Sequence, residues 1–134
     1  MNVQRIQNAI SASAVIGINA GYGHKNDSNA TLSEIAELLK KKTQQVEDET
    51  GIYVSGVIYG SKCYYKTEWS CPEGGEDTFC LNADCNPSYS SLPAEEYIKK
   101  WQIAFLRLVE LLMEELEQSA VTAKIGSEVL YLSR

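Results

Sequence analysis

The sequence predicts an α+β fold in which an antiparallel sheet carries two helices packed on one face. Two observations support this class. Segments with the period of strands alternate with segments with the period of helices, and turn-forming residues separate them in the order β-α-β-β-α-β. A chain of 134 residues is close to the usual size of one domain. We therefore expect residues 1–134 to form a single ligand-binding domain, with residues 1–11 as a candidate flexible segment.

The first half of the chain predicts a strand, a loop and a helix. Residues 12–20 are a largely apolar run typical of a buried strand, and residues 21–29 (GYGHKNDSN) have turn chemistry throughout. Thr31 predicts the start of a helix, because Glu34 follows three residues later as in a capping box. Gly51 is expected to end that helix.

The second half predicts a hairpin, a longer helix and a last strand. Residues 52–83 are rich in β-branched and aromatic residues on either side of a Pro-Glu-Gly-Gly turn, which indicates a long β-hairpin. Pro93 precedes a helix expected over residues 94–118. Residues 121–132 predict one strand, with Gly126 as a bulge. The resulting four-stranded sheet leaves one face open, and that face needs a cover or contact with water.

The second helix has more apolar surface than one sheet can cover. A helix that packs on a single sheet needs an apolar stripe of only about 100°. We expect the surplus to be buried against another copy of the chain in a homo-oligomer, with a deeper core of the same chain as the alternative. The surplus residues are Ile98, Leu106, Val109, Met113 and Leu116.

Composition and charge exclude several classes of function. Apolar residues make up 44% and charged residues 22%, an ordinary globular balance. Twelve Lys and Arg stand against 18 Asp and Glu, for a net charge of −6, which argues against binding of duplex nucleic acid. A small anionic ligand remains compatible, because a few cations and backbone N–H groups can hold it. No run of apolar residues has the length of a signal peptide or membrane span, so a cytoplasmic protein is expected.

The sequence does not predict a catalytic or metal site. The cysteines follow the spacing C-x7-C-x8-C-x4-C, without the short paired spacing of structural zinc, so half-buried thiols and no metal are expected. His24 is the sole histidine, and no local signature supports it as the partner of a Cys71 nucleophile. Glu73 and Glu76 flank a Gly-Gly turn and are expected to face solvent. No cofactor motif is present.

Aromatic and polar side chains suggest a binding site instead. Trp69 and Phe79 are suited to stacking on a nucleobase, although both could also plug the end of the sheet. Asn86 could hydrogen-bond a base edge or a sugar. Arg107 either pairs with Glu110 on the same helix or, in an oligomer, converges with its own copies to bind phosphates. The loop that contains Gly21 and Tyr22 leads to a helix N-terminus, where a phosphate could bind.

Several of these motifs, in this order, resemble the first-described Thoeris anti-defence family of phages and prophages. They are the GYGHK loop at residues 21–25, the TGIYVS join at 50–55, the EWSCPEGGE hairpin at 68–76 and the later Asn-Pro at 86–87. The resemblance covers about residues 14–132.

The resemblance implies a sponge that captures an immune signal in the infected or lysogenic bacterial host and leaves it intact. The implied ligand is a glycocyclic ADP-ribose, contacted by Phe79 and Asn86 with Trp69 close by. It also implies a second site, at Arg107 on a symmetry axis of a hexamer, for cyclic oligonucleotides. We therefore expect a binding protein, not an enzyme, that forms dimers or hexamers. Two alternatives stay open: a small ferredoxin-like enzyme acting on a nucleotide, and a phage inhibitor that binds another protein.

Overall fold

The structure is a computed structural model that describes residues 1–7, 9–19 and 30–134. In these ranges the chain forms two α-helices, five β-strands and two short 3₁₀ turns, at Thr67–Trp69 and Pro87–Tyr89. The strands are β1 (Ile10–Gly17), β2 (Gly56–Cys63), β3 (Glu76–Cys85), β4 (Ala120–Ile125) and β5 (Glu128–Ser133), and the helices are α1 (Leu32–Thr50) and α2 (Ala94–Glu115).

Local sequence signals set both ends of α1. Thr31 accepts a hydrogen bond from the Glu34 backbone, while the Glu34 side chain accepts one from the Thr31 backbone, and this is the predicted capping box. Gly51 ends the helix in the left-handed conformation, with φ of 80°. A residue with a Cβ is strained at that φ, so the glycine is required for the stop.

The five strands form one antiparallel sheet in the order β2-β3-β1-β4-β5. Alternate residues of the central strands are buried beneath the helices, among them Ala14, Ile16, Phe79 and Leu81. The predicted α+β fold, with an antiparallel sheet and two helices on one face, is confirmed. The face opposite the helices, which we call the open face, is not covered by any element that the structure describes.

The C-terminal segment differs from the prediction. Residues 121–132 are not one strand with a bulge, because Gly126 has a φ of 58° in a tight turn that reverses the chain between β4 and β5. The sheet therefore has five strands, not four. The predicted hairpin of residues 52–83 is confirmed as β2 and β3, although β2 begins only at Gly56.

Burial within the chain also changes the interpretation of α2. Val109 and Met113 were expected to face another subunit, but they are 0% and 2% exposed within this chain. Leu106 is half-buried and packs against the same core as Leu130 and Leu132 of β5. For Val109 and Met113 the alternative of a deeper core in the same chain is therefore the correct one, because both side chains are buried in the core that the helices form with the sheet.

Candidate functional site

The open face carries a row of polar side chains where β2 and β3 pair. Cys63 lies opposite Glu76 in the register, and Ser61 lies opposite Thr78. The hydroxyl oxygens of Ser61 and Thr78 are 2.7 Å apart, and the Cys80 thiol donates to Ser61 over 3.4 Å. These groups give this end of the open face a polar surface that can contact water or a polar ligand.

Glu76 is the most unusual group in this row. It is only 8% exposed, and its carboxylate has no hydrogen-bond or ion-pair partner among the residues that the structure describes. Burial raises the pKa of its carboxyl group, since the charged form loses hydration. A largely buried glutamate whose carboxylate still reaches the surface, with no partner among the described residues, is a candidate to receive a cation or a proton.

A pocket of about 150 Å³ opens beside Glu76. Its lining comes from residues far apart in the chain, since β1, β3, β4 and β5 all contribute. Larger clefts exist elsewhere, such as one of about 600 Å³ between α2 and β5, but the buried Glu76 does not line them. We therefore take the small pocket as the candidate site because it contains Glu76, although other clefts are larger. Its lining includes Gly17, Cys63, Glu76, Thr78, Gln118 and Tyr131.

Gln118 forms a second buried polar group of the pocket, with 6% exposure. Its side-chain nitrogen donates to the backbone oxygen of Asn19 over 2.6 Å and to that of Leu116 over 3.0 Å. Gly17 lies directly beneath it, and a Cβ at this position would come within 2.4 Å of the Gln118 Oε1 atom. The absence of a side chain at Gly17 therefore makes room for the Gln118 amide.

Two of the cysteines, Cys63 at the pocket and Cys85 at the other end of β3, are poor nucleophiles. Burial, followed by the nearby Glu76 and Cys71, raises the pKa of the Cys63 thiol. Burial likewise raises the pKa of Cys85 to about 11. Since the thiolate is the reactive form, neither group is activated. All four cysteines are free thiols, three of them half-buried, as expected.

The predicted ligand-binding aromatics do not come together. Trp69 is 62% exposed in the loop between β2 and β3, with the Lys66 ammonium 5.4 Å from its ring centroid. Phe79 is 1% exposed and lies in the core beneath the helices. Its ring therefore has no surface on which a base could stack, and its predicted contact role is corrected to a packing role.

The remaining predicted residues lie at other places. Asn86 follows β3 at the strand end opposite Glu76, where its side chain caps the 3₁₀ turn by accepting from Ser88. Arg107 pairs with Glu110 over 2.6 Å, as its alternative reading expected, and also with Glu49 of α1 over 3.0 Å. Gly21, Tyr22 and His24 lie outside the described residues.

Glu76 is the functional candidate that sequence reasoning misjudged. It was expected to face solvent together with Glu73, which is exposed. The available signal was its place at the start of a strand in which Thr78 and Cys80 share its face. Within the described residues, no cluster of three His, Cys, Asp or Glu could hold a metal ion. Neither helix of the described chain is long and apolar enough to span a bilayer.

Comparison with known proteins gives a family and a fold. The SAM lyase family model (SAM is S-adenosylmethionine) matches residues 8–132. A phage SAM lyase in complex with S-methyl-5'-thioadenosine is 16% identical, with a TM-score of 0.67 over 100% of this chain and 97% of that chain. A phage SAM lyase in the apo state is 18% identical, with a TM-score of 0.60 over the same shares. No curated protein sequence matches the chain significantly.

These findings overturn the predicted function. The family takes its name from an enzyme that degrades SAM, so the predicted Thoeris sponge, which would hold a cyclic ADP-ribose intact, is wrong. The expectation that the chain is not an enzyme is wrong for the same reason, and the alternative of a small enzyme was closer. Since the family model covers nearly the whole chain, this protein belongs to the SAM lyase family.

Proposed function

We propose that this chain cleaves SAM at the bond between the sulfonium sulfur and the amino-acid side chain, releasing methylthioadenosine. The observation that carries the proposal is the buried carboxylate of Glu76 at the pocket. SAM has two cationic groups close together, the sulfonium and the α-ammonium. Either one would give Glu76 the opposite charge that the described part of the chain does not supply.

A lyase breaks this bond without adding water, so the atoms must balance within the substrate. The electron pair of the carbon–sulfur bond moves to sulfur, which turns the sulfonium into the neutral thioether of methylthioadenosine. The carbon that loses sulfur then needs a new bond. We propose that an oxygen of the substrate's own carboxylate attacks this carbon and closes a five-membered lactone, because that route needs no protein base.

The environment of Glu76 suits such a reaction. Ring closure brings together a carboxylate and a sulfonium, and both charges disappear in the product. Water stabilises separated charges, so a site that excludes it favours their combination. The raised pKa of Glu76 reports this kind of desolvation at the pocket. In this scheme Glu76 holds the α-ammonium and turns the substrate carboxylate toward the carbon under attack.

A second copy of the chain would complete the site. The pocket of about 150 Å³ is smaller than the roughly 300 Å³ at which sites for small organic ligands begin. It lies on the open face, where large apolar side chains are unusually exposed. We therefore retain the predicted homo-oligomer, now formed through the open face and not through α2. The exposed apolar residues of this face are Val15, Val57, Tyr59, Val129 and Tyr131.

The test is product analysis with a matched pair of variants. Purified protein is incubated with SAM in ¹⁸O-labelled water, and the products are identified by mass spectrometry. We expect methylthioadenosine and a lactone without label at the carbon that carried sulfur. Glu76→Gln should lower kcat/KM at least tenfold, about 1.4 kcal/mol. The exposed Glu73→Gln should stay within about twofold of the wild type, as surface changes do.

Four outcomes would contradict parts of the proposal. No methylthioadenosine from the wild-type protein would reject SAM cleavage. Label on a hydroxyl of the former sulfur-bearing carbon would mean hydrolysis, and loss of a neighbouring hydrogen would mean elimination instead of ring closure. Equal activity of Glu76→Gln and the wild type would remove Glu76 from the site. A phage anti-defence role stays a prediction that is compatible with removal of SAM.

A further inference from the structure

The Gln118 side chain has a fixed orientation with one unused polar atom. Both partners of its side-chain nitrogen are backbone carbonyl oxygens, of Asn19 and Leu116, which only accept hydrogen bonds. The NH₂ group must therefore face them, and the amide cannot be turned around. Its Oε1 atom accepts no hydrogen bond from any part of the chain that the structure describes. A side chain that is 6% exposed thus presents a lone acceptor at the pocket.

The surroundings keep this acceptor in place. The two hydrogen bonds tie the amide to the chain just after β1 and to the end of α2, so it cannot swing away without losing both. Gly17 leaves the space that the oxygen occupies, since a Cβ would lie 2.4 Å from it. The Oε1 atom is not fully enclosed, so a ligand or a water molecule can reach it from the pocket and satisfy it.

We propose that Gln118 is a specificity residue that recognises the α-ammonium of the substrate through its Oε1 atom. The inference rests on the function proposed above and identifies which part of the substrate enters the pocket. The pocket brings together the carboxylate of Glu76 and the amide oxygen of Gln118, two acceptors that suit the amino-acid end of the substrate, which carries the ammonium. The ammonium has three N–H donors, so it can bind Glu76 and Gln118 together.

The test compares two ligands that the enzyme cannot cleave. S-adenosylhomocysteine keeps the amino-acid end but lacks the sulfonium, and methylthioadenosine lacks the amino-acid end altogether. Their dissociation constants are measured by calorimetry for the wild type and for Gln118→Met, which keeps the side-chain length. We expect Gln118→Met to weaken the binding of S-adenosylhomocysteine about tenfold, the effect of losing a hydrogen bond to a charged group. The binding of methylthioadenosine should weaken by less than about twofold.

A second variant tests the position of the oxygen without changing the amide. Gly17→Ala places a methyl group against Oε1 and must push the end of the flexible Gln118 side chain aside. It should produce the same selective loss, and it carries the test if Gln118→Met does not fold. Removing the amino group from S-adenosylhomocysteine should weaken binding to the wild type by about tenfold more than it weakens binding to either variant, because in the variants only Glu76 still holds the ammonium.

The outcomes separate this inference from the proposed function. If the wild type cleaves SAM but both variants bind the two ligands like the wild type, only the role of Gln118 is rejected. Equal weakening of both ligands would indicate a structural role and would also overturn it. If the wild type neither binds these ligands nor cleaves SAM, the proposed function fails and the inference fails with it.

Discussion

At the scale of single residues, Glu76 shows how a functional group opposes the stability of its own fold. A glutamate that is 8% exposed loses part of its hydration, and no described residue compensates its carboxylate by a hydrogen bond or an ion pair. Such a group persists when binding of a substrate makes use of it. Thr78 and Gln118, which are equally buried, both have hydrogen-bond partners. The contrast sets Glu76 apart from ordinary buried polar residues.

This reasoning predicts a pH-dependent gain of stability on neutralising Glu76. Because burial raises the folded pKa of its carboxyl group above the ordinary value of 4.5, the folded state binds the proton more tightly than the unfolded state. Stability linked to this group is therefore greatest at low pH and is lost as the pH rises from about 4.5 through the folded pKa. At pH 7, Glu76→Gln should raise the melting temperature by a few degrees, about 1 kcal/mol.

Thermal unfolding of both proteins between pH 4 and pH 8 measures the effect. The difference in melting temperature should shrink as the pH falls toward 4, because the wild-type carboxyl becomes increasingly protonated in both states. Glu73→Gln serves as the control and should show no such trend, because Glu73 is exposed. A melting temperature of Glu76→Gln below that of the wild type at pH 7 would mean that the carboxylate has a stabilising partner.

For two aromatic residues, side-chain chemistry alone did not predict which one is exposed. Trp69 and Phe79 have the same stacking chemistry, and both were candidates for contact with a base. In the fold one is 62% exposed and the other 1% exposed. The strand period could have separated them, because Phe79 shares its face with Leu81 and Ala83, whereas Glu76 and Thr78 point to the other face.

At the scale of elements, local chemistry accounts for the boundaries of α1. The capping box at Thr31 and the left-handed Gly51 each satisfy backbone groups that the helix itself leaves unpaired. These signals need no tertiary contact, and this is why they could be predicted. The Gly126 turn is also local, but one glycine in an apolar run allows either a bulge or a turn, and only pairing of β4 with β5 decides between them.

The helix caps lead to a prediction about stability. Thr31→Ala removes the side-chain acceptor for the Glu34 backbone and should lower the free energy of unfolding by about 1 kcal/mol. Gly51→Ala places a Cβ on a residue with φ of 80° and should lower the free energy of unfolding by a similar amount. Urea unfolding measures both, and Ser33→Ala in the exposed first turn is the control. An unchanged midpoint for both cap variants would mean that packing alone holds the helix.

At the scale of the whole molecule, the open face is the feature that one chain leaves unexplained. A sheet with helices on one side is stable only if its other side is hydrated or covered. Here that side carries large apolar residues, among them Val57 with 66% and Tyr131 with 70% exposure. Tyr131 also lines the pocket of Glu76, so assembly and catalysis are expected to be coupled.

We therefore predict that Tyr131→Glu disrupts the oligomer and reduces SAM cleavage at least tenfold, because a buried unpaired charge is unfavourable at an interface. Sedimentation velocity measures the mass of the assembly, and product release measures the activity. Ile103→Glu is a matched control, since Ile103 is 65% exposed on α2, away from the open face. A wild-type protein that sediments as a monomer would contradict the predicted oligomer. If Tyr131→Glu loses activity but stays assembled, the loss of SAM cleavage is not caused by dissociation.

The amino-acid sequence by itself determined the helices, the central hairpin and the fold class, because periodicity and caps act over a few neighbouring residues. It also singled out the motif that ends in Glu76, although it assigned that residue to solvent. Only the tertiary structure decided that Glu76 is buried and that Gln118 reaches the backbone of Asn19, 99 positions away in the chain. Burial and long-range hydrogen bonds depend on which strands become neighbours, and local sequence patterns do not encode that information.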